Sequence, residues 1–211
     1  MVFAVACAAL ALWAGAMMPA AADEAAAPPP PPPSLDDFVP DVVRHPPVDV
    51  LAVRFGDKQL GLGEELTPTQ VKAPPALTWE ANAQDFYTVC MTDPDAPSRA
   101  TPTNREFLHW LVGNVPGGDV ARGEVLAEYV GSGPPLGTGL HRYVLLVFRQ
   151  PGRMEFDDEP RRNATSRIGR PRFSVQHFAD RFALEQPAVA GTYYLAQWDD
   201  YVPTLHAQFT S

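Results

Sequence analysis

Two loops in this sequence combine a rigid backbone with polar, protonatable side chains. Residues 92–99 read Thr-Asp-Pro-Asp-Ala-Pro-Ser-Arg, and residues 131–143 read Gly-Ser-Gly-Pro-Pro-Leu-Gly-Thr-Gly-Leu-His-Arg-Tyr. Each loop adjoins an apolar run that is typical of a strand, so its polar groups are expected at a strand end. Such an arrangement suits a small, rigid pocket for an anionic or zwitterionic group.

In the first loop, Pro94 and Pro97 fix φ at two nearby positions. They thereby hold the directions of Asp93 and Asp95, each of which is either an acceptor that caps the loop or a carboxylate that faces a ligand. The two prolines also admit a cis peptide at either X-Pro bond.

In the second loop, glycines permit close backbone approach and positive φ. Gly131 and Gly133 flank Ser132, so their N–H groups are candidates for an anion-binding nest. His141 and Tyr143 follow at a spacing of two and share one face of the outgoing strand. They supply a titratable imidazole and a hydroxyl.

A further histidine lies in the apolar stretch 107–112, Phe-Leu-His-Trp-Leu-Val. Strand alternation predicts His109 on the face of Phe107 and Leu111, with Leu108 and Trp110 on the other face. A lone strand histidine is either a structural residue or a ligand contact.

Together, Asp93, His109, His141 and Tyr143 have the chemistry to hold a phosphate. Two bare anions repel, so Asp93 would need a shared proton or a neighbouring histidinium.

Patterns for hydrolysis, metal binding or nucleotide-phosphate binding are missing from the sequence. It contains no Gly-x-Ser-x-Gly elbow, no reactive cysteine with a suitable partner, no His-Glu-x-x-His motif, no close Cys/His pair and no P-loop. The net charge is −9 and no basic run is present, which argues against a nucleic-acid partner. We therefore expect a binding protein with no catalytic residues, no metal and no cofactor.

Strand signals dominate the elements that must position these residues. Strand-like runs cover 48–55, 86–91, 107–112, 143–148 and 192–198, and no helical crossovers separate the middle runs, which predicts antiparallel pairing. Cys90, in the second run, is expected to be a buried core thiol. Two helices are predicted late, one capped by Ser174 and running to about Leu184, and one from Pro203 toward Phe209.

Residues 1–22 contain no charged side chain and end in three alanines, which satisfies the small-residue rule for signal-peptidase cleavage. We expect a signal peptide at 1–22, an Ala/Pro-rich linker at 23–34 and one domain at 35–211, in a secreted monomer. The alternative is a membrane anchor formed by residues 1–22, although their alanine content makes a weak span. Asn163-Ala164-Thr165 is a glycosylation sequon that suits a secreted glycoprotein.

The chain resembles the phosphatidylethanolamine-binding proteins, also known through the Raf-kinase inhibitor proteins. Residues 93–99 are similar to the first conserved region of that family, and residues 131–143 to the second. Residues 66–72 (Leu-Thr-Pro-Thr-Gln-Val-Lys) and 188–203, which end in Trp-Asp-Asp-Tyr-Val-Pro, are similar as well. The resemblance runs from about Val48 to Phe209.

This resemblance implies a mainly β fold, in which a central antiparallel sheet packs on a smaller one, with C-terminal helices. It implies a shallow pocket for phosphate-like anions and phospholipid head groups such as that of phosphatidylethanolamine. It also assigns Asp95 to organising the first loop. By motif position the pocket residues are Asp93, His109, Gly133, Pro134, Pro135, His141 and Tyr143.

The chain departs from the family pattern at the edge of this pocket. The family often has Trp-His-His where this chain has Phe107-Leu108-His109, so the aromatic wall is kept and one imidazole is lost. Near the C-terminus, where a Tyr commonly closes the pocket, this chain has His206, which either faces the pocket or points to solvent. Pro171 stands where Gly is common.

Two other functions remain open at this stage. Some family members block kinases or serine carboxypeptidases, so this chain is alternatively an inhibitor or modulator of a protease or kinase, with the five arginines of 157–172 docking an acidic partner. Secretion would argue against a cytosolic kinase. An extracellular odorant carrier is the third hypothesis, and it needs a deeper apolar cavity than the sequence indicates.

Overall fold

The computed structural model describes residues 1–2 and 31–210, and Pro33–Ser211 forms one compact unit. The predicted signal peptide beyond residue 2, and the predicted linker as far as residue 30, lie outside the described residues. Within the described ranges, no helix has the length and apolar character needed to cross a membrane.

The described part of the chain is built mainly from strands. A 3-10 helix at Leu35–Phe38 precedes the first strand, and another at Val120–Arg122 precedes the seventh. The strands are β1 (Asp49–Val50), β2 (Ala52–Phe55), β3 (Lys58–Gln59), β4 (Ala76–Thr78), β5 (Phe86–Asp93), β6 (Phe107–Pro116), β7 (Glu124–Ala127), β8 (His141–Arg149) and β9 (Ala190–Ala196). The α-helices are α1 (Val175–Arg181) and α2 (Val202–Ala207).

Both predicted helices are present and shorter than expected. Ser174 caps α1, and its hydroxyl accepts a hydrogen bond from the His177 N–H at 3.2 Å. Pro203 lies in the first turn of α2, where its missing N–H costs no helical hydrogen bond.

The strands form a large sheet of order β1-β9-β8-β5-β6-β7 and a small sheet of order β3-β2-β4. The predicted mainly β fold with a large and a small sheet is confirmed. The large sheet is mixed, because β1 pairs with β9 in parallel, whereas every other pair is antiparallel. The run 48–55, predicted as one strand, divides at the buried Leu51 between the two sheets.

The core occupies both faces of the large sheet. Alternate residues of β8 supply the two sides, as the period of two requires. Val144, Leu146 and Phe148 pack in the cluster that contains Val175 and Phe178 of α1, and Tyr143, Leu145 and Val147 pack in the cluster that contains Val53 and Phe55 of the small sheet. Cys90 is buried in the first cluster, as predicted, and burial raises the pKa of its thiol.

A bulge in β6 breaks the predicted alternation at His109. Met91 pairs with Trp110 and Thr92 pairs with Leu108, so His109 is the extra residue opposite this step of β5. As a result, Leu108 packs in the same cluster as Leu111, and Trp110 packs on the opposite face. The prediction that Leu108 and Trp110 share a face was therefore wrong, whereas His109 does lie beside Phe107, with ring centroids 5.0 Å apart.

A buried ion pair joins the first loop to β8. Asp95 is fully buried, and it accepts hydrogen bonds from the N–H and Nε of Arg142, each at 2.9 Å, and from Nη2 at 2.6 Å. Burial acts to raise the pKa of Asp95, but the Arg142 hydrogen bonds outweigh it and the pKa is lowered. The structural role predicted for Asp95 thus has a defined partner.

The same guanidinium also binds the segment that precedes β1. Arg142 Nη1 donates to the Asp37 carbonyl at 2.5 Å, and Nη2 contacts the Asp41 carboxylate at 2.8 Å. One side chain therefore connects three separate parts of the chain.

We expect Asp95→Ala to lower the free energy of unfolding by roughly 3–5 kcal/mol, because it leaves a buried guanidinium without its carboxylate. Urea unfolding followed by circular dichroism measures the loss. The control is Asp180→Ala, which removes the partner of the solvent-exposed Arg44 and is expected to change the midpoint far less. Equal losses in the two variants would contradict the importance of the buried pair.

Candidate functional site

The two loops meet at a cavity of about 100 Å³ at one end of the large sheet. The seven residues assigned to the pocket by motif position line this cavity: Asp93, His109, Gly133, Pro134, Pro135, His141 and Tyr143. Phe107, the predicted aromatic wall, and His206, whose direction was left open, line it as well. Of the two X-Pro bonds in the first loop, Ala96-Pro97 is cis. Both of its residues also line the cavity. Leu108 lies instead in the core, fully buried.

Asp93 and His141 form a buried pair in the cavity wall. The Asp93 Oδ2 atom lies 2.8 Å from His141 Nδ1, and its Oδ1 atom accepts the Asp95 N–H at 2.7 Å. Burial raises the pKa of Asp93, while the hydrogen bond from His141 acts in the opposite direction. This carboxyl group therefore holds a proton more readily than an exposed one.

Thr138 fixes the position of one proton on the imidazole of His141. Its hydroxyl donates to the Pro135 carbonyl at 2.8 Å and lies 2.9 Å from His141 Nε2. A hydroxyl has one proton to donate, so His141 Nε2 must be the donor to Thr138. One further proton is then shared between His141 Nδ1 and the carboxyl of Asp93, and both ring nitrogens of His141 already have protein partners.

His109 is a neutral imidazole with a fixed tautomer. Its Nδ1 lies 2.8 Å from the Val130 carbonyl oxygen, which only accepts, so Nδ1 carries the proton. Burial lowers the pKa of His109 to about 3, against the effect of the hydrogen bond to Val130. Nε2 is therefore a hydrogen-bond acceptor at neutral pH, and His109 does not supply the histidinium that the sequence analysis considered.

Tyr143 places a hydroxyl in the cavity wall. Its ring is fully buried, stacks on Tyr194 at a centroid distance of 5.1 Å and meets the edge of His109 at 5.1 Å. Burial raises the pKa of Tyr143 well above its ordinary value, so the hydroxyl stays protonated. No described residue makes a well-formed hydrogen bond to this buried hydroxyl, although the nearby Gly133 backbone and Ser132 side chain oppose part of the effect of burial on its pKa.

Gly133 and His206 close the cavity from the side of α2. His206 faces the cavity, and its Nε2 donates to the Gly133 carbonyl at 2.9 Å. A Cβ at Gly133 would lie 2.8 Å from Leu205 Cδ2 and 3.1 Å from His206 Nε2. Gly133 thus allows Leu205 and His206 to approach closely, whereas positive φ in this loop occurs at Gly137 and Gly139.

Sequence reasoning did not place several other lining residues in the cavity, among them Arg167, Leu205 and Phe209. Leu205 belongs to the buried face of α2, and Phe209 follows that helix. Arg167 belongs to the arginine-rich segment 157–172, which was considered only as a docking surface. No local pattern links Arg167 to residues 93–143, because the contact arises from tertiary packing.

The arginine-rich segment does not present five free cations. Arg170 is fully buried and donates to the carbonyls of Leu108, His109, Glu128, Asn163 and Ser166. Arg162 pairs with Glu159 at 2.8 Å, and Arg161 pairs with Glu124. Internal contacts therefore occupy three of the five arginines that were considered for docking an acidic partner. Asn163 of the sequon is exposed.

Comparison with known proteins gives consistent results. The family model described as phosphatidylethanolamine-binding protein matches residues 51–194. The Drosophila melanogaster protein named "Putative odorant-binding protein A5" is 38% identical over 170 residues, which cover 80% of each chain.

Solved structures show the same fold. The solution structure of CG7054 is 42% identical, covers 83% of this chain and 99% of its own, and has a TM-score of 0.68. The phosphatidylethanolamine-binding protein of Plasmodium vivax is 23% identical, covers 80% of this chain and 99% of its own, and has a TM-score of 0.64. At that level of identity, the likeness to the Plasmodium protein shows the fold alone.

We expect His109 to remain neutral, with its proton on Nδ1, as the pH falls from 8 to about 4. The unfolded chain takes up this proton near pH 6.5, whereas the folded pKa is about 3. The stability that His109 contributes is therefore fully present above pH 6.5 and is lost as the pH falls toward 3.

Two measurements check this protonation state. Nitrogen-15 shifts of the imidazole should stay constant over that range. The free energy of unfolding of wild type relative to His109→Gln should decline by up to about 1.4 kcal/mol per pH unit below pH 6. A His109 signal that titrates with a midpoint near 6 would refute the assignment.

Proposed function

The chain belongs to the phosphatidylethanolamine-binding protein family, and from this premise we propose that its pocket binds phospholipid head groups or similar small phosphate-type anions without turnover. The observation that carries the proposal is the buried Tyr143 hydroxyl, which lacks a partner among the described residues and lines the cavity. Leaving a buried donor unsatisfied costs about 1–3 kcal/mol. A ligand oxygen that accepts this hydrogen bond would recover that cost.

The other polar groups complement a head group that contains both a phosphate and an amine. His109 Nε2 is an acceptor, which suits an ammonium N–H or a protonated phosphate oxygen. The proton shared by Asp93 and His141 limits the repulsion between that wall and a phosphate. Arrays of fixed donors and acceptors on rigid loops favour binding of a defined head group.

The same cavity supports a smaller ligand better than a bulky one. Its volume of about 100 Å³ is below the roughly 300–1,000 Å³ of typical small-molecule sites. The odorant-binding name of the Drosophila relative raises a carrier of small organic ligands as a second candidate. For this chain, such a ligand would be anchored by its polar end, since the interior of the cavity offers Tyr143 and His109.

Inhibition of a protease or kinase by surface contact is the weaker alternative. Its sequence basis was the arginine-rich segment, and three of the five arginines there serve internal contacts. We also propose that the protein is secreted, which the uncharged residues 1–22 and the odorant-binding name of the Drosophila relative support. In a secreted protein, the exposed Asn163 would be available as a glycan acceptor. A monomer, and an anchor at residues 1–22 as the alternative to secretion, complete the proposal.

Tyr143→Phe tests the proposed function because it removes only the hydroxyl. We expect phosphoethanolamine to bind this variant roughly tenfold more weakly than wild type, since a hydrogen bond to a charged group is lost. Isothermal titration calorimetry at pH 7 measures the affinity. The variant should be at least as stable as wild type without ligand, because the hydroxyl is unsatisfied in the free protein.

The control is Tyr194→Phe. Tyr194 stacks on Tyr143, and its hydroxyl lies 2.6 Å from Ser132 Oγ instead of lining the cavity. This variant should lose some stability and keep its affinity for phosphoethanolamine. Unchanged binding by Tyr143→Phe, or equal weakening by both variants, would argue against a ligand contact at Tyr143.

A further inference from the structure

Arg167 is held at the mouth of the pocket between two aromatic rings. Its guanidinium carbon lies 5.7 Å from the centroid of Phe107 and 5.5 Å from that of Phe209. Both distances are within the range of cation–π attraction. Phe107 begins β6 and Phe209 follows α2, so the guanidinium is positioned by two separate elements.

The loop that carries Arg167 is also fixed. The Arg170 N–H donates to the Arg167 carbonyl at 3.1 Å, and the buried Arg170 guanidinium holds the loop to β6. At the other end of the loop, the Thr210 N–H donates to the Thr165 carbonyl at 2.9 Å. The side chain therefore starts from a constrained backbone, which reduces the entropy lost when it binds a ligand.

The charge of Arg167 is not neutralised within the described residues. In segment 157–172, Arg161, Arg162 and Arg170 contact carboxylates or backbone carbonyls. Among the described residues, the side chains of Arg167 and Arg172 make no ion pair or hydrogen bond, and of these two only Arg167 lines the cavity. Deeper in the pocket, His109 is neutral, and Asp93 and His141 share a proton. A permanent positive charge thus stands at the rim, above an interior without a free cation.

We infer that Arg167 makes the pocket selective for amphiphiles whose head group carries a net negative charge, such as a phosphate monoester, over zwitterionic head groups on the same chains. The inference rests on the proposed function, because it concerns the ligand of the same pocket. The guanidinium pairs with the anionic oxygens in a charge-assisted hydrogen bond. Phe107, Leu205 and Phe209 provide the apolar surface beside it for the start of an acyl chain.

The experiment compares dihexanoyl phosphatidate with dihexanoyl phosphatidylethanolamine, both below their micelle concentrations, by calorimetry at pH 7 and low salt. The two lipids have the same chains, and only the first has a net negative charge near −1.5 to −2. Wild type should bind the phosphatidate about tenfold more tightly. Added salt should reduce this preference, because the Arg167 side chain is partly open to solvent.

Arg167→Met keeps the stem that lies against the two rings and removes the charge. Its preference for phosphatidate should fall to about twofold or less, while its affinity for the zwitterionic lipid stays near that of wild type. Arg153→Met is the matched control. It removes one charge from an exposed arginine outside the pocket, and it should keep the full preference.

Equal affinities of wild type for the two lipids would overturn the inference. So would an Arg167→Met variant that loses affinity for both lipids alike, because Arg167 would then act only as a clamp between Phe107 and Phe209. If neither lipid binds, and the NMR signals of Tyr143 and His109 do not change when the lipids are added, both the proposed function and the inference are overturned. Weaker binding of both lipids by Tyr143→Phe, together with loss of the preference alone in Arg167→Met, supports the proposed function and the inference.

Discussion

The buried pair of Asp95 and Arg142 is the interaction on which the arrangement of the pocket depends. Arg142 stands between His141 and Tyr143 on β8, so its anchoring on one face of the strand turns both neighbours toward the cavity. Asp95 stands two residues after Asp93, and the Asp95 N–H is bound by the Asp93 carboxylate. One ion pair therefore sets the positions of three pocket side chains, although neither of its members lines the pocket.

The separation of buried structural charges from the pocket interior is what would allow an acidic protein to bind the proposed anion. The charged side chains of Asp95, Arg142 and Arg170 are buried. They contact one another or backbone carbonyls and hold the loops together. The cavity itself contains a neutral imidazole, a protonated phenol and a carboxyl that shares a proton. We therefore assign selectivity by charge to Arg167, whose guanidinium lies beside the rings of Phe107 and Phe209 at the rim.

Much of this site could be predicted from sequence, because its loops carry their own conformational restraints. The prolines and glycines around Asp93 and His141 marked both loops, and the spacing of His141 and Tyr143 placed them on one face. The bulge at His109 could not be read, because strand alternation assumes an unbroken register and the extra residue is visible only against β5. Whether His206 faces the cavity depends on how α2 packs over Gly133, which no local pattern specifies.

Arginines were the hardest residues to interpret. Five arginines in one segment indicate an exposed basic surface, yet Arg170 is fully buried, where it donates to carbonyls of two distant stretches and of its own loop. Arg167 lies two residues after the sequon and more than twenty from either loop, and only the fold brings it to Phe107. Sequence motifs thus identified the interior of the pocket, whereas its charged rim required the tertiary structure.

The crystal structure of the protein with phosphoethanolamine tests the central claim most directly. We expect a phosphate oxygen within about 3 Å of the Tyr143 hydroxyl, the length of an ordinary hydrogen bond, with the His109 tautomer and the Asp93–His141 contact unchanged. A phosphoethanolamine molecule bound elsewhere on the surface, or one in the cavity that leaves the Tyr143 hydroxyl without a partner, would contradict it.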